Sequence, residues 1–388
     1  MEACDALIVG TGPAGLATAA CLARRRMPFV LIEAEEQVAA RWHKHYDRLC
    51  LHTTKAYSGL PGFAFARDVG TYPTRTQVIA YLQAYAAHFG IAPRFGERLE
   101  RARPCEGTAD RTLDAGWDVQ TSNQRYRARH VIMATGLNRI PVRPAWPGQE
   151  LFRGVVVHSA EYRSGVRFRG QRVLVIGMGN TGAEIALDLC EHGARVSLSV
   201  RSSQNILPRE FLGTPLQVTS MRTASLPVSV RDALGRLTSR MAFGDLTRYG
   251  LPTPTYGPAT EVLQYGRTPV LDIGTVARIK AGDIEMVPRV EAFTTAGVTL
   301  SNGGTREIDA VVLATGYQPN LEELIDAPEL LDRRGRPIQD RESGPTLHGI
   351  HFVGYQNSLT GLLRQIGIEA ELVARQIASS RAAKKGAA

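Results

Sequence analysis

The chain has 388 residues, enough for two domains that each bury a core, and its 44% hydrophobic and 21% charged residues are those of a soluble globular protein. The formal charge of +9 is carried mainly by arginines spread over the whole chain, with lysine only at 44, 55, 280, 384 and 385; that dispersion marks a compositional bias and argues against nucleic acid. Five scattered cysteines form no C-x-x-C pair and no metal-ligand spacing, which suits a reducing cytoplasm and excludes a dithiol reductase.

Residues 6–23 carry no charge, yet Gly10, Gly12, Pro13 and Gly15 interrupt them and basic residues follow instead of leading. A strand, turn and buried helix accounts for this better than a membrane segment. An apolar strand over 6–9 runs into Gly10-x-Gly12-x-x-Gly15, then a helix, then a second strand over 29–32 that ends at Glu33. In that context the glycines, with Pro13 and Ala14, predict a dinucleotide seat whose pyrophosphate meets a helix N-terminus. Glu33 stands where a carboxylate accepts hydrogen bonds from ribose, and Arg41 and Trp42 are assigned to the same nucleotide. His43, His45 and His52 lie close in sequence but lack the cysteines or carboxylate pattern of a metal site, so no metal is expected.

A hairpin region over 116–130 leads into "HVIMATGL", a buried strand closing on Ala134, Thr135 and Gly136. The next stretch, "LFRGVVVHSAEYRSG" over 151–165, resembles neither a strand repeat nor a helix. It concentrates Phe152, Gly154, His158 and Tyr162 in one short connection.

The strand–loop–helix–strand pattern returns over 172–203, with Gly177, Gly179 and Gly182 as its glycines and Asn180 and Thr181 at the helix start. Laying Gly10 on Gly177 places Glu33 on Val200, followed by Arg201 and Ser202. An arginine there suits a 2′-phosphate, so FAD is expected at the first loop and NADPH at the second. Residues 202–281 exceed a minimal βαβ unit; a helix over 228–241 and a proline-rich passage over 251–258 predict either a roof on a substrate channel or a structural insertion. Hairpins with a turn at Asn302-Gly303 precede "AVVLATGY", which repeats the closing pattern with Thr315 and Gly316. The expected fold is α/β, with two doubly wound dinucleotide-binding domains. The NADPH domain (166–307) would be inserted into a discontinuous FAD domain (1–165 and 308–388).

Phe152, Gly154, His158 and Tyr162 match the F-x-G-x-x-x-H-x-x-x-Y pattern of class B flavin-dependent monooxygenases. Stretches such as "YDRLCLHTTK" (46–55), "GNTGAEIALDL" (179–189) and "VRSSQNILPRE" (200–210) further resemble the YUCCA-type enzymes. The resemblance implies an NADPH- and O2-dependent flavoprotein acting through a C4a-(hydro)peroxyflavin, oxidatively decarboxylating an aryl 2-oxo acid such as indole-3-pyruvate. It places His158 and Tyr162 at the junction of NADP and the FAD domain, and Gln356 near the isoalloxazine. His52 stands where many N- and S-oxygenating relatives have asparagine, so His52 and Lys55 are the candidate catalytic side chains. The implied partners are a small molecule and O2, without nucleic acid or membrane, and a homodimer is allowed. Oxygenation of a soft amine or sulfide, and a non-catalytic FAD-bound redox sensor, remain the alternatives.

Overall fold

The structure, a computed structural model, describes residues 1–105, 116–338, 346–347 and 349–387. Two sheets organise it, one mixed and one parallel. In the first, strand Glu2–Val9 lies between Val30–Ile32 and Arg125–Met133, in parallel register with both (Leu7 opposite Val30 and Val131). Ile350–Phe352 extends the sheet beside Arg125–Met133, and the antiparallel pair Leu99–Pro104 and Trp117–Thr121 joins the same strand further along. Ala6, Leu7 and Ile8 are fully buried, which is why this strand reads as an unbroken apolar run. Helix Pro13–Arg24 covers one face together with the C-terminal helix Leu362–Ala387, where Glu371 pairs with Arg24 and Arg25.

The second sheet is wholly parallel. Its order is Ile284–Val287, Arg195–Ser199, Arg172–Ile176, Ala310–Leu313 and Val155–His158. Two expectations are corrected by it. The stretch over 151–165 is no irregular connection: its three valines form an edge strand, Val155 opposite Ala310 and His158 opposite Leu313. A boundary at 165/166 therefore cuts off a strand of the second sheet, and one at 307/308 cuts off another, Ala310–Leu313. By sheet membership the second unit runs from about 155 to about 313.

The antiparallel strands Val290–Thr294, Gly297–Leu300 and Thr305–Glu307 form the expected hairpins, turning at Asn302-Gly303. Within the insertion, Ile206–Pro208 pairs in parallel with Val270–Asp272. Helix Val228–Phe243 forms close to where the sequence predicts one, but with its polar side inward. Asp232 accepts the backbone amides of Ala259 and Thr260 at 2.7 and 3.1 Å, while Val230, Leu234, Leu237 and Met241 face solvent. Other parts of the insertion reach the first unit: Gln217, whose amide side chain bonds Thr54 and Thr360, Arg209, which lies over Tyr72, and Gly266, whose carbonyl accepts from Asn357.

Candidate functional site

The two glycine loops match contact for contact. Gly10 and Gly177 have φ of +104° and +103°, and a Cβ on either would stand 2.8 or 2.5 Å from the carbonyl oxygen of Ala134 or Ala314. That contact explains the repeated Ala-Thr-Gly, because each returning strand lays its alanine carbonyl over the first glycine of its loop. A Cβ on Gly15 or Gly182 would lie 1.8 or 2.0 Å from the carbonyl of Gly10 or Gly177, so helix and strand approach only because these residues have none. Around Gly12 and Gly179 no atom lies within 4 Å of that position. Each caps its helix in an extended conformation without a side-chain partner, leaving the first amides of the helix aimed at open space. Nothing in the protein requires glycine there. A pyrophosphate lying against the backbone would.

A cavity of about 440 Å³ opens over the first loop, and Gly10, Gly12, Pro13, Ala14, Glu33, Arg41, Trp42, Thr135 and Gly136 all border it. The Glu33 carboxylate accepts the amide and hydroxyl of Thr11 at 2.7 Å each and the amide of Glu35 at 3.0 Å, which fixes it at the cavity edge. Arg41 donates to the carbonyl of Asn138 at 2.8 Å and lies over the Tyr317 ring. Thr135 shares a 2.7 Å hydrogen bond with the Tyr355 hydroxyl. His45 also borders the cavity; burial, then the charge of Arg41, pushes its pKa down to about 4. Gly354 is the cavity-wall residue nearest Gln356, whose own side chain is exposed. Behind Gly354 the Glu369 carboxyl, raised to about 7 by burial, accepts its amide at 2.7 Å.

At the second loop, Arg201 and Ser202 are exposed beyond strand Arg195–Ser199. The Asn180 side chain is taken up within the protein: it donates to the carbonyl of Pro269 at 3.1 Å and accepts the amide of Leu271 at 2.7 Å, leaving only the backbone amide of Asn180 at the loop. Thr181 stands beside the buried Tyr46, and Thr315, next to Gly316, donates to the carbonyl of Val142 at 2.6 Å. His158 ends the edge strand, fully buried and edge-on to Tyr317 at 5.1 Å, with burial holding its pKa below the usual histidine range.

Tyr162 is a correction. It is 1% exposed, stacked on Phe168, and donates at 2.6 Å to Asp188 on the second loop helix, so it pins the chain to that helix and contacts no open space. Phe152 packs on Phe293, and a Cβ on Gly154 would meet the Asp309 carbonyl at 2.4 Å. The four-residue pattern thus seats an edge strand, and only His158 is placed toward the junction.

Between the loops, residues 50–55 run antiparallel to 71–74, with the amide of Leu51 donating to Pro73 and that of Lys55 to Thr71, both at 2.8 Å. His52 points away from this ladder; its Nε2 lies 2.5 Å from Oε1 of Glu184, one turn into the second loop helix. Glu184 is 2% exposed, and it helps burial drive the neighbouring Tyr46 phenol far above its usual range. Lys55 is the second correction: its ammonium donates to the carbonyls of Arg67 and Val69, clasping its own loop, and does not border the cavity. Glu184 is the residue the sequence reading missed. Its one signal is an acid flanked by apolar residues on both sides in "GAEIAL".

The family model described as flavin-binding monooxygenase-like matches residues 6–328. The indole-3-pyruvate monooxygenase YUCCA1 of Oryza sativa subsp. japonica is 40% identical over 362 residues, covering 92% of this chain and 88% of its own. The probable indole-3-pyruvate monooxygenase YUCCA9 of Arabidopsis thaliana is 42% identical over 338 residues, 85% of this chain and 79% of its own. Among solved structures, a flavin-containing monooxygenase from Stenotrophomonas maltophilia shares the fold with a TM-score of 0.74 at 22% identity, over 98% of this chain and 99% of that one.

Proposed function

The chain belongs to the flavin-binding monooxygenase-like family, and from that membership we propose that it binds FAD at the first loop and NADPH at the second to decarboxylate an aryl 2-oxo acid oxidatively. Indole-3-pyruvate is the favoured substrate, because relatives about 40% identical over most of the chain carry that activity in their names. The observation that carries the two-nucleotide reading is the pair of matched loops, each with one glycine that faces only open space. The balance is 2-oxo acid, O2, NADPH and one proton giving the acid one carbon shorter, CO2, water and NADP+.

Bound flavin supplies the two-electron link between NADPH and O2 that no side chain can provide. The residues do the rest. Amides following Gly12 and Gly179 hold the two pyrophosphates, Glu33 takes the FAD ribose, and Arg201 the NADPH 2′-phosphate. Trp42, Ala39 and Leu363 wall the cavity with apolar surface and keep water from the reacting atoms. His52 is held through Nε2 by Glu184, so one imidazole nitrogen is committed and the ring keeps a single orientation. A cytoplasmic setting fits the five free cysteines.

Incubation with NADPH, labelled O2, catalase and indole-3-pyruvate should yield indole-3-acetate carrying one labelled carboxylate oxygen, with stoichiometric CO2. If catalase abolishes the product while NADPH consumption continues, the acid arises from leaked peroxide and the proposal fails. Tightly coupled oxygenation of an amine or sulfide, with 2-oxo acids ignored, would replace it.

A further inference from the structure

Charge on this protein is too dispersed for the sequence to single out an arginine for an acidic substrate; Arg167 and Arg267 also lie over rings, and Arg209 differs from them by its place across from His52. Arg209 follows strand Ile206–Pro208, and its backbone is fixed on both sides: its amide donates to Asp272 at 3.2 Å and its carbonyl accepts from Leu216 at 3.0 Å. Its guanidinium carbon lies 4.0 Å from the centroid of the Tyr72 ring. Among the described residues the Arg209 guanidinium has neither an ion-pair partner nor a hydrogen bond. Arg24, Arg48, Arg75 and Arg172, by contrast, each meet a carboxylate. The side chain is partly buried, and the adjoining Glu210 is exposed and faces the Tyr72 phenol, whose pKa burial and Glu210 together raise.

The position of this cation matters as much as its lack of a partner. Tyr72 belongs to the 71–74 segment laddered against 50–55, so the stack stands across from His52. The Cys50 thiol, two residues from His52, is raised by burial and by Glu184 and lowered by Arg209, so that guanidinium and the His52–Glu184 pair both act on the same short segment. Glu184 is already engaged with His52.

We propose that Arg209, held over the Tyr72 ring, is the clamp that receives the substrate carboxylate on the His52 side of the 50–55 segment. The proposal rests on the 2-oxo acid reading above. A guanidinium stacked on a ring keeps its edge free, and that edge offers two parallel N–H donors matched to a carboxylate. In a 2-oxo acid the carboxylate is one bond from the C2 carbonyl, so holding the first fixes the second. A sulfide, an amine or a simple ketone gives the clamp nothing to hold. Arg209 therefore sets which substrates enter and how they lie; it exchanges no atoms with them.

The test uses the FAD-loaded full chain. Arg209→Met should raise KM for indole-3-pyruvate and phenylpyruvate by about ten- to a hundredfold, with a smaller change in kcat. Flavin content, melting temperature and the rate at which NADPH bleaches the flavin should be unchanged. Arg209→Lys should recover part of the loss, and Tyr72→Leu should raise the same KM several-fold by removing the platform. Equilibrium titration of the oxidised protein with phenylpyruvate should show the same ordering without turnover. Equal affinity of wild type and Arg209→Met for phenylpyruvate would overturn the clamp, and a rise confined to KM for NADPH would reassign Arg209 to the coenzyme. Absence of 2-oxo acid turnover in the wild type would instead count against the function proposed above, and the titration would still decide the clamp.

Discussion

The first and second glycine loops are built alike inside and differently outside. Both place a strained glycine under an alanine carbonyl and a second glycine against the first, and both leave the middle glycine bare. At the end of the following strand they part. Glu33 is gripped by Thr11 and Glu35 over a walled cavity, whereas Arg201 stands exposed with no such frame. Backbone packing is thus common to the two loops, and the side chain beyond the second strand is where they differ. A fixed acid suits a permanently held cofactor; a free arginine suits a coenzyme that comes and goes.

The strongest way to break that comparison is to attack what the loops share. Gly15→Ala and Gly182→Ala each force a methyl to within 2 Å of a carbonyl oxygen, and each should cost about 3 kcal/mol or more of stability in chemical denaturation. A variant as stable as wild type would show that the helices sit further from their strands than described. Gly12→Ala and Gly179→Ala separate the loops instead. Neither added methyl meets protein, so both variants should fold; the first should be colourless, and the second yellow but slowly bleached by NADPH. The opposite pattern would exchange the two nucleotides.

A third contrast lies behind the loops. Gly354 packs against Ala14 of the first loop helix, and Glu369 holds the Gly354 amide. The folded pKa of Glu369, about 7, lies above the usual carboxyl value of 4.5, so the folded state binds the extra proton. Stability should be full below pH 4.5 and fall as pH rises toward 7, by up to about 3 kcal/mol. Glu369→Gln should flatten melting temperature across that window, and an unchanged slope would exclude Glu369 as its source. The smallest effect sharpens the outer difference. Arg201→Ala should weaken NADPH by about ten- to a hundredfold and leave NADH nearly untouched, measured as the dependence of flavin reduction on coenzyme concentration. Equal loss for both coenzymes would make Arg201 a support for the fold.

The loops, their helices and the family were legible because their signals are local: glycine spacing, apolar strands, and motifs of ten or so residues. What escaped depends on distant partners. Val155–His158 is a strand only because Ala310–Leu313 lies beside it, and nothing near three valines between a glycine and a histidine announces that neighbour. The same pairing moved both domain boundaries. Glu184 resembles an ordinary helix acid until residues 46–52 bury it, and Tyr162 resembles a nucleotide contact until Asp188 is seen to take its hydroxyl. Lys55 kept its place in a family pattern, but its ammonium serves two nearby carbonyls.

Asn180 opens the helix of the second loop, and both ends of its amide are tied to the strand at 269–271. That strand pairs with Ile206–Pro208, and the next amide, that of Arg209, bonds Asp272. The linkage is therefore kinematic: three short hydrogen-bonded steps, with no slack chain between them, join the second loop helix to the residue whose guanidinium lies over Tyr72.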